Sequence, residues 1–225
     1  MKSRMAKLVF QSAFLAIGVI AVLASLGFFG YNYRKDFYVY FTNLSNYLCI
    51  GVMAVEFVET LRNKEDSYVT VLPKLKFVSV LSIMLTFFVF NFILANMPER
   101  HPASNYEISS VLCHAVIPVM FTLDWLLFYE RKKVRWYYPL LSVIFPFVYG
   151  AFIYIRAFIP GIEKHTSVIY PYFFLNIKSQ GIPKVVMWVS VMLAVYIVAG
   201  YLMYIIDHIV PCKSEKINDD GKGAQ

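Results

Sequence analysis

Six apolar runs, each about twenty residues long, alternate along the chain with short polar segments. They cover roughly 8–29, 38–61, 75–96, 109–129, 137–158 and 185–209. About twenty helical residues cross a hydrocarbon core of ~30 Å. Barrel strands would instead give ~10-residue segments of alternating polarity, and these are absent. The pattern therefore predicts an all-α polytopic membrane protein: a bundle of six transmembrane helices forming a single domain over residues 1–210. The tail, 211–225, is polar throughout and is expected to be a disordered cytoplasmic extension. No internal repeat marks two inverted halves of the kind many transporters carry.

Composition agrees with a chain solvated by lipid. Of 225 residues 59% are hydrophobic, more than a soluble fold of this length can hide. The first run follows Lys2, Arg4 and Lys7, as a signal peptide would. It is longer than a signal peptide's ~7–15-residue apolar region, however, and lacks a small-residue cleavage site, so it is expected to be retained as a span. The net charge of +7 does not indicate nucleic acid, because the basic residues lie in short loops between spans. With the N-terminus placed in the cytoplasm, fourteen Lys and Arg fall on that side, Lys74, Lys76 and "ERKKVR" among them, against seven on the other. This bias places both termini in the cytoplasm. The chain has no organelle-targeting signal, and the cell membrane is the expected location. Cys49, Cys113 and Cys212 have no metal-ligand or CxxC spacing and read as free thiols. No phosphate loop, dinucleotide fingerprint or acid–histidine cluster calls for a cofactor or metal.

The second run breaks the apolar pattern at "YFTNLSNYLC". Thr42, Ser45, Asn46 and Cys49 recur at helical spacing, and the stripe continues through Met53, Glu56 and Thr60. Leu44, Leu48, Gly51, Val55 and Val58 fall on the opposite face. A helix so divided turns its polar side into the bundle. Ser, Thr and Asn at such positions often do no more than hydrogen-bond neighbouring helices.

A functional reading needs a partner, and the candidate is His114, about five residues into the fourth run. Thr42 lies about four residues into the second. If both runs start on the same side, the two side chains sit at one depth. A hydroxyl beside an imidazole is the minimum set for nucleophilic acyl transfer, because the imidazole takes the hydroxyl proton during attack and returns it to the leaving group. Asn43, Asn46 and Asn91 are candidate donors to the developing oxyanion. Arg156, at the outer end of the fifth run, either snorkels or holds a lipid carboxylate or phosphate. Asp124 lies ten helical residues, ~15 Å, beyond His114, and is expected to make a structural polar contact elsewhere. Pro118 and Pro146 are expected to kink their helices. For His114 alone, a neutral imidazole bonded to a neighbouring carbonyl explains the residue equally well.

The segments "YFTNLSN", "LCHAVIPVMFTLDWLLF", "YPLLSVIFPFVYGAFIYIR" and "YPYFFLNI" together resemble the six-span androgen-induced protein family, whose animal members hydrolyse fatty acid esters of hydroxy fatty acids. The chain looks closest to that family's bacterial branch. The resemblance implies that Thr42 is a nucleophile that forms an acyl-enzyme and that His114 is its general base. It also implies membrane lipids as partners and a lipid ester as substrate. The alternative from the residues themselves is a protein that binds or moves a small lipid or solute through the same polar cavity without covalent chemistry.

Overall fold

The computed structural model describes residues 4–30, 33–63, 70–98, 102–166 and 168–210; the expected disordered tail lies outside them. Six helices are long and apolar enough to cross a membrane: α1 (Arg4–Ser25), α2 (Phe41–Arg62), α3 (Pro73–Asn96), α4 (Ile108–Phe128), α5 (Tyr138–Ala157) and α6 (Ile177–Ile209). Among the described residues there is no strand. The multi-pass architecture is as the hydrophobic pattern predicts.

Where helix ends differ from the apolar runs, backbone chemistry explains it. α1 stops at Ser25 because Gly27 takes φ +84°, a conformation glycine adopts without penalty. α6 begins eight residues ahead of its apolar run, but Gly181 (φ 76°, ψ 155°) interrupts it just before Pro183. The membrane portion thus starts afresh at a proline, which suits a first helical turn. α5 is interrupted at Val143 between Tyr138–Ser142 and Ile144–Ala157. Pro146 cannot donate to the Ser142 carbonyl, and the Tyr196 hydroxyl of α6 donates there instead, at 3.3 Å.

α1, α2, α3 and α4 surround the main core, which includes Phe14, Met53, Phe77, Ile117, Phe121 and Trp125. A second cluster under α5 and the 168–175 segment holds Phe41, Tyr149, Ile153 and Phe174. α2 buries its whole polar stripe, Thr42, Ser45, Asn46, Cys49, Met53, Glu56 and Thr60, and exposes Gly51, Val55 and Val58. Part of the stripe meets α3: Ser45 Oγ lies 2.8 Å from Thr86 Oγ1, and the Cys49 thiol points at the Ser79 carbonyl. Arg4 caps the far end of α2, its guanidinium donating to the carbonyls of Thr60, Leu61 and Asn63. These are carbonyls that a helix C-terminus leaves without partners.

Lys76 departs from the sequence reading. Counted there as a loop charge, it lies inside α3 with 1% of its side chain exposed, ion-paired to Glu56 and Asp124. Pro73 starts the helix three residues earlier, and this carries Lys76 onto the same inward face as Ser79, Ser82 and Thr86. Lys7 and Arg156 are buried too. Without these three the charge count is twelve against six, so the twofold bias is unchanged.

α6 crosses α5 closely at Gly200. A Cβ there would lie 2.9 Å from Pro139 Cβ and 3.2 Å from both Pro139 Cα and Leu81 Cδ1. Backbone cannot yield as a flexible side chain can, so Gly200→Ala is expected to cost about 1–3 kcal/mol. A thermal melt of the detergent-solubilised protein measures this, and an unchanged midpoint would mean that the crossing is looser than described.

Candidate functional site

α4 does not run as a regular helix past His114. Residues Leu112–Val116 form a π-helical turn, in which the Ile117 N–H reaches back to the Leu112 carbonyl. That shift deprives the Cys113 carbonyl of its usual donor. Pro118, which has no N–H, does the same to the His114 carbonyl. Two adjacent carbonyls are left inside the membrane, where each missing hydrogen bond is costly. Asn46 and Asn91 supply both. Asn46 Nδ2 donates to Cys113 O at 3.0 Å and to Thr42 O at 2.7 Å. Asn91 Nδ2 donates to His114 O at 3.1 Å and to Phe87 O at 2.8 Å. Asn91 itself sits in a second π-helical turn, Val89–Ile93. Such turns are rare and occur frequently at functional sites.

The result is a frame that fixes Thr42 and His114 relative to each other. Asn46 ties the Thr42 backbone to the residue beside His114. Phe90 stacks on the imidazole, with ring centroids 3.5 Å apart and planes 11° apart. His114 Nδ1 lies 2.9 Å from the Ser110 carbonyl. A carbonyl only accepts, so in a neutral ring the proton is on Nδ1, and Nε2 is the acceptor nitrogen.

Thr42 and His114 line one cavity of about 890 Å³ at the end of the bundle opposite Arg4. Its rim is polar and charged, with Arg34, Lys35, Asp36 and Glu107, and Arg34 and Glu107 form an exposed ion pair at 3.2 Å. A second cavity of about 290 Å³, almost wholly apolar, runs between α2, α3, α5 and α6. Its walls include Phe147 and Ala151, which are exposed on α5, so it opens sideways from the bundle. Thr42, Phe90, Leu94 and Tyr172 line both cavities.

Asn43 also lines the polar cavity, with one amide hydrogen donated to Phe37 O at 2.8 Å. The sequence reading set Asn46, Asn91 and Arg156 against substrate as well. The structure turns these three side chains to backbone instead, and none of them lines either cavity. The two asparagines each spend both amide hydrogens on carbonyls. Arg156, 5% exposed, donates to Val168 O at 2.8 Å and Ile169 O at 3.1 Å, with Asp36 3.8 Å away. It pins to α5 the segment that carries Tyr172.

Tyr172 is the site residue that sequence reasoning missed. Its hydroxyl lies 3.4 Å from Thr42 N and 3.5 Å from Thr42 Oγ1, weak contacts at the outer limit of hydrogen bonding. Burial pushes the phenol above its ordinary pKa, with the hydrogen bonds from Thr42 opposing, so it remains protonated at neutral pH. Its signal was the aromatic run "YPYFFLN" in a loop, but nothing in that run points to Thr42. Among the described residues no group of His, Cys, Asp and Glu is placed to hold a metal. Comparison of the chain with family models, curated proteins and solved structures finds no match in any of the three.

Proposed function

We propose that the chain is an integral-membrane lipid-ester hydrolase, with Thr42 as nucleophile and His114 as general base, acting on fatty-acid-ester lipids as its resemblance to the androgen-induced family implies. The observation that carries this reading is the place of Thr42 at the junction of an apolar cavity and a polar one. An ester lipid has the same two parts. Its acyl chain fits the apolar cavity, which opens sideways toward the bilayer, and its polar remainder fits the charged vestibule. The ester carbonyl then lies at Thr42.

In the first step Thr42 Oγ1 bonds to the carbonyl carbon while its proton passes to His114 Nε2. The C–O bond to the leaving alcohol breaks and the alkoxide takes that proton, leaving an acyl-threonine. Water then attacks the acyl carbon and gives its proton to His114. The threonine oxygen leaves, recovers the proton, and the fatty acid is released. The Tyr172 phenol and the second amide hydrogen of Asn43, both on residues that line the polar cavity, are the donors assigned to the transient oxyanion. In this reading the vestibule faces away from the cytoplasm, as the charge bias favours.

The experiment that tests the reading is mass spectrometry of the purified protein after treatment with a long-chain fluorophosphonate. An adduct on the Thr42 peptide, lost in Thr42→Ala and His114→Ala, supports it. No adduct on any of the folded proteins counts against it. Tyr172→Phe is expected to lower kcat by about 10²–10³ with little change in KM if the phenol serves the oxyanion. An unaltered kcat would leave Tyr172 as packing. One observation favours a non-catalytic lipid- or solute-binding protein instead: the Thr42 hydroxyl contacts Tyr172 rather than the imidazole. A binder would lose affinity by degrees in these variants and form no adduct.

A further inference from the structure

The opposite half of the bundle holds a second polar cluster, about 21 Å along α2 from Thr42. Lys76 is ion-paired there to Glu56 and Asp124, and all three are at most 1% exposed. Lys7 of α1 is within electrostatic reach of all three. Gln11 lies one turn further along the same face of α1 and is fully buried. Phe14 packs on Phe121 and Phe10 on Phe128, which sets the turn of α1 that carries Gln11 beside the 121–128 stretch of α4, the stretch that carries Asp124 and Trp125.

Five buried polar atoms in this layer have no hydrogen-bond partner among the described residues. They are Gln11 Oε1, Gln11 Nε2, Glu56 Oε1, Asp124 Oδ1 and Trp125 Nε1. Buried polar atoms without partners are rare in folded proteins, and a group of them needs a cause. Three of the five accept hydrogen bonds and two donate. A metal cation would satisfy only the acceptors and would be repelled by Lys76 and Lys7. An anion would satisfy only the donors and would be repelled by Glu56 and Asp124. Water does both, and a buried water makes about three hydrogen bonds.

We propose that this cluster is an internal water site, in which about two water molecules bridge Gln11 and Trp125 to the carboxylate oxygens that Lys76 does not use. The four charges of this cluster are then solvated as well as paired, which lowers the cost of holding them in hydrocarbon.

Water-edited solid-state NMR of the full chain in lipid bilayers tests this, with the Trp125 indole assigned through Trp125→Phe. Magnetisation from water is expected to reach the Trp125 indole N–H and the Gln11 amide severalfold faster than the fully buried side chains of Ile117 and Phe77. Build-up at Trp125 no faster than at those two would overturn the proposal. Gln11→Leu adds a second arm. It is expected to slow the transfer to Trp125 and lower the melting temperature. A raised melting temperature would show that Gln11 was a dry, unsatisfied group, and would overturn the proposal too. The wild-type spectrum decides by itself if the variant does not fold.

Discussion

Lys76→Met is expected to destabilise the bundle by about 3–5 kcal/mol, the range for breaking a buried ion pair by removing one partner. Methionine fills nearly the same space, so packing is not the cause. The variant leaves Glu56 and Asp124 facing each other with Lys7 as the remaining nearby cation. One negative charge is then surplus in a region that hydrates charge poorly. Neutralising the acids in the same chain, as Lys76→Met with Glu56→Gln and Asp124→Asn, is expected to recover most of the loss. Replacing a buried ionic group as a whole is often close to neutral. Unfolding monitored across a denaturant series for the three proteins makes the comparison. A Lys76→Met protein as stable as wild type would mean that the acids are not ionised together with Lys76.

The second large effect concerns hydrolysis. On the proposed mechanism Thr42→Ala removes the atom that would bond to the acyl group, and turnover of a long-chain ester is expected to fall to the uncatalysed level. His114→Ala is expected to lose about 10²–10⁴-fold, the contribution of a positioned proton acceptor. Thr42→Ser separates chemistry from packing: it keeps a nucleophilic hydroxyl and is expected to retain measurable turnover and the phosphonate adduct. Asn46→Ala should also lower turnover, although Asn46 touches neither cavity, because its amide ties the Thr42 backbone to the turn that carries His114. If Thr42→Ala and Thr42→Ser have the same activity as wild type, the site is not a threonine esterase.

Much of this arrangement could be read from the sequence, and the exceptions have physical causes. The stripe from Thr42 to Thr60 is buried in full, because hydrocarbon leaves a polar helix face nowhere else to go. The expectation that Asp124 serves a separate polar contact also agrees with its pairing to Lys76. Lys76 lies close to a loop in the sequence, and a lysine there reads as a loop charge. Its spacing to Ser79 and Ser82 carried the opposite signal. Asn46 and Asn91 read as donors to substrate because residue spacing does not show that the carbonyls freed by the π-helical turn and by Pro118 face them. Pro118 announced the missing hydrogen bond, but not which side chain would replace it. Tyr172 reaches Thr42 from 130 residues away, a distance over which periodicity carries no information.

The π-helical turn of α4 also separates two jobs that one helix must do. Its extra residue offsets the 108–111 turn from the 117–128 stretch, and each residue of an α-helix turns the chain by about 100°. Deleting one residue within Leu112–Val116 would let α4 run straight. Asp124 would stay on Lys76, while the histidine's end of the helix rotated by about a quarter of a turn. The bundle's internal charge pairing and the aim of its imidazole are thus set independently along a single span, so either can change in descendants of this chain without disturbing the other.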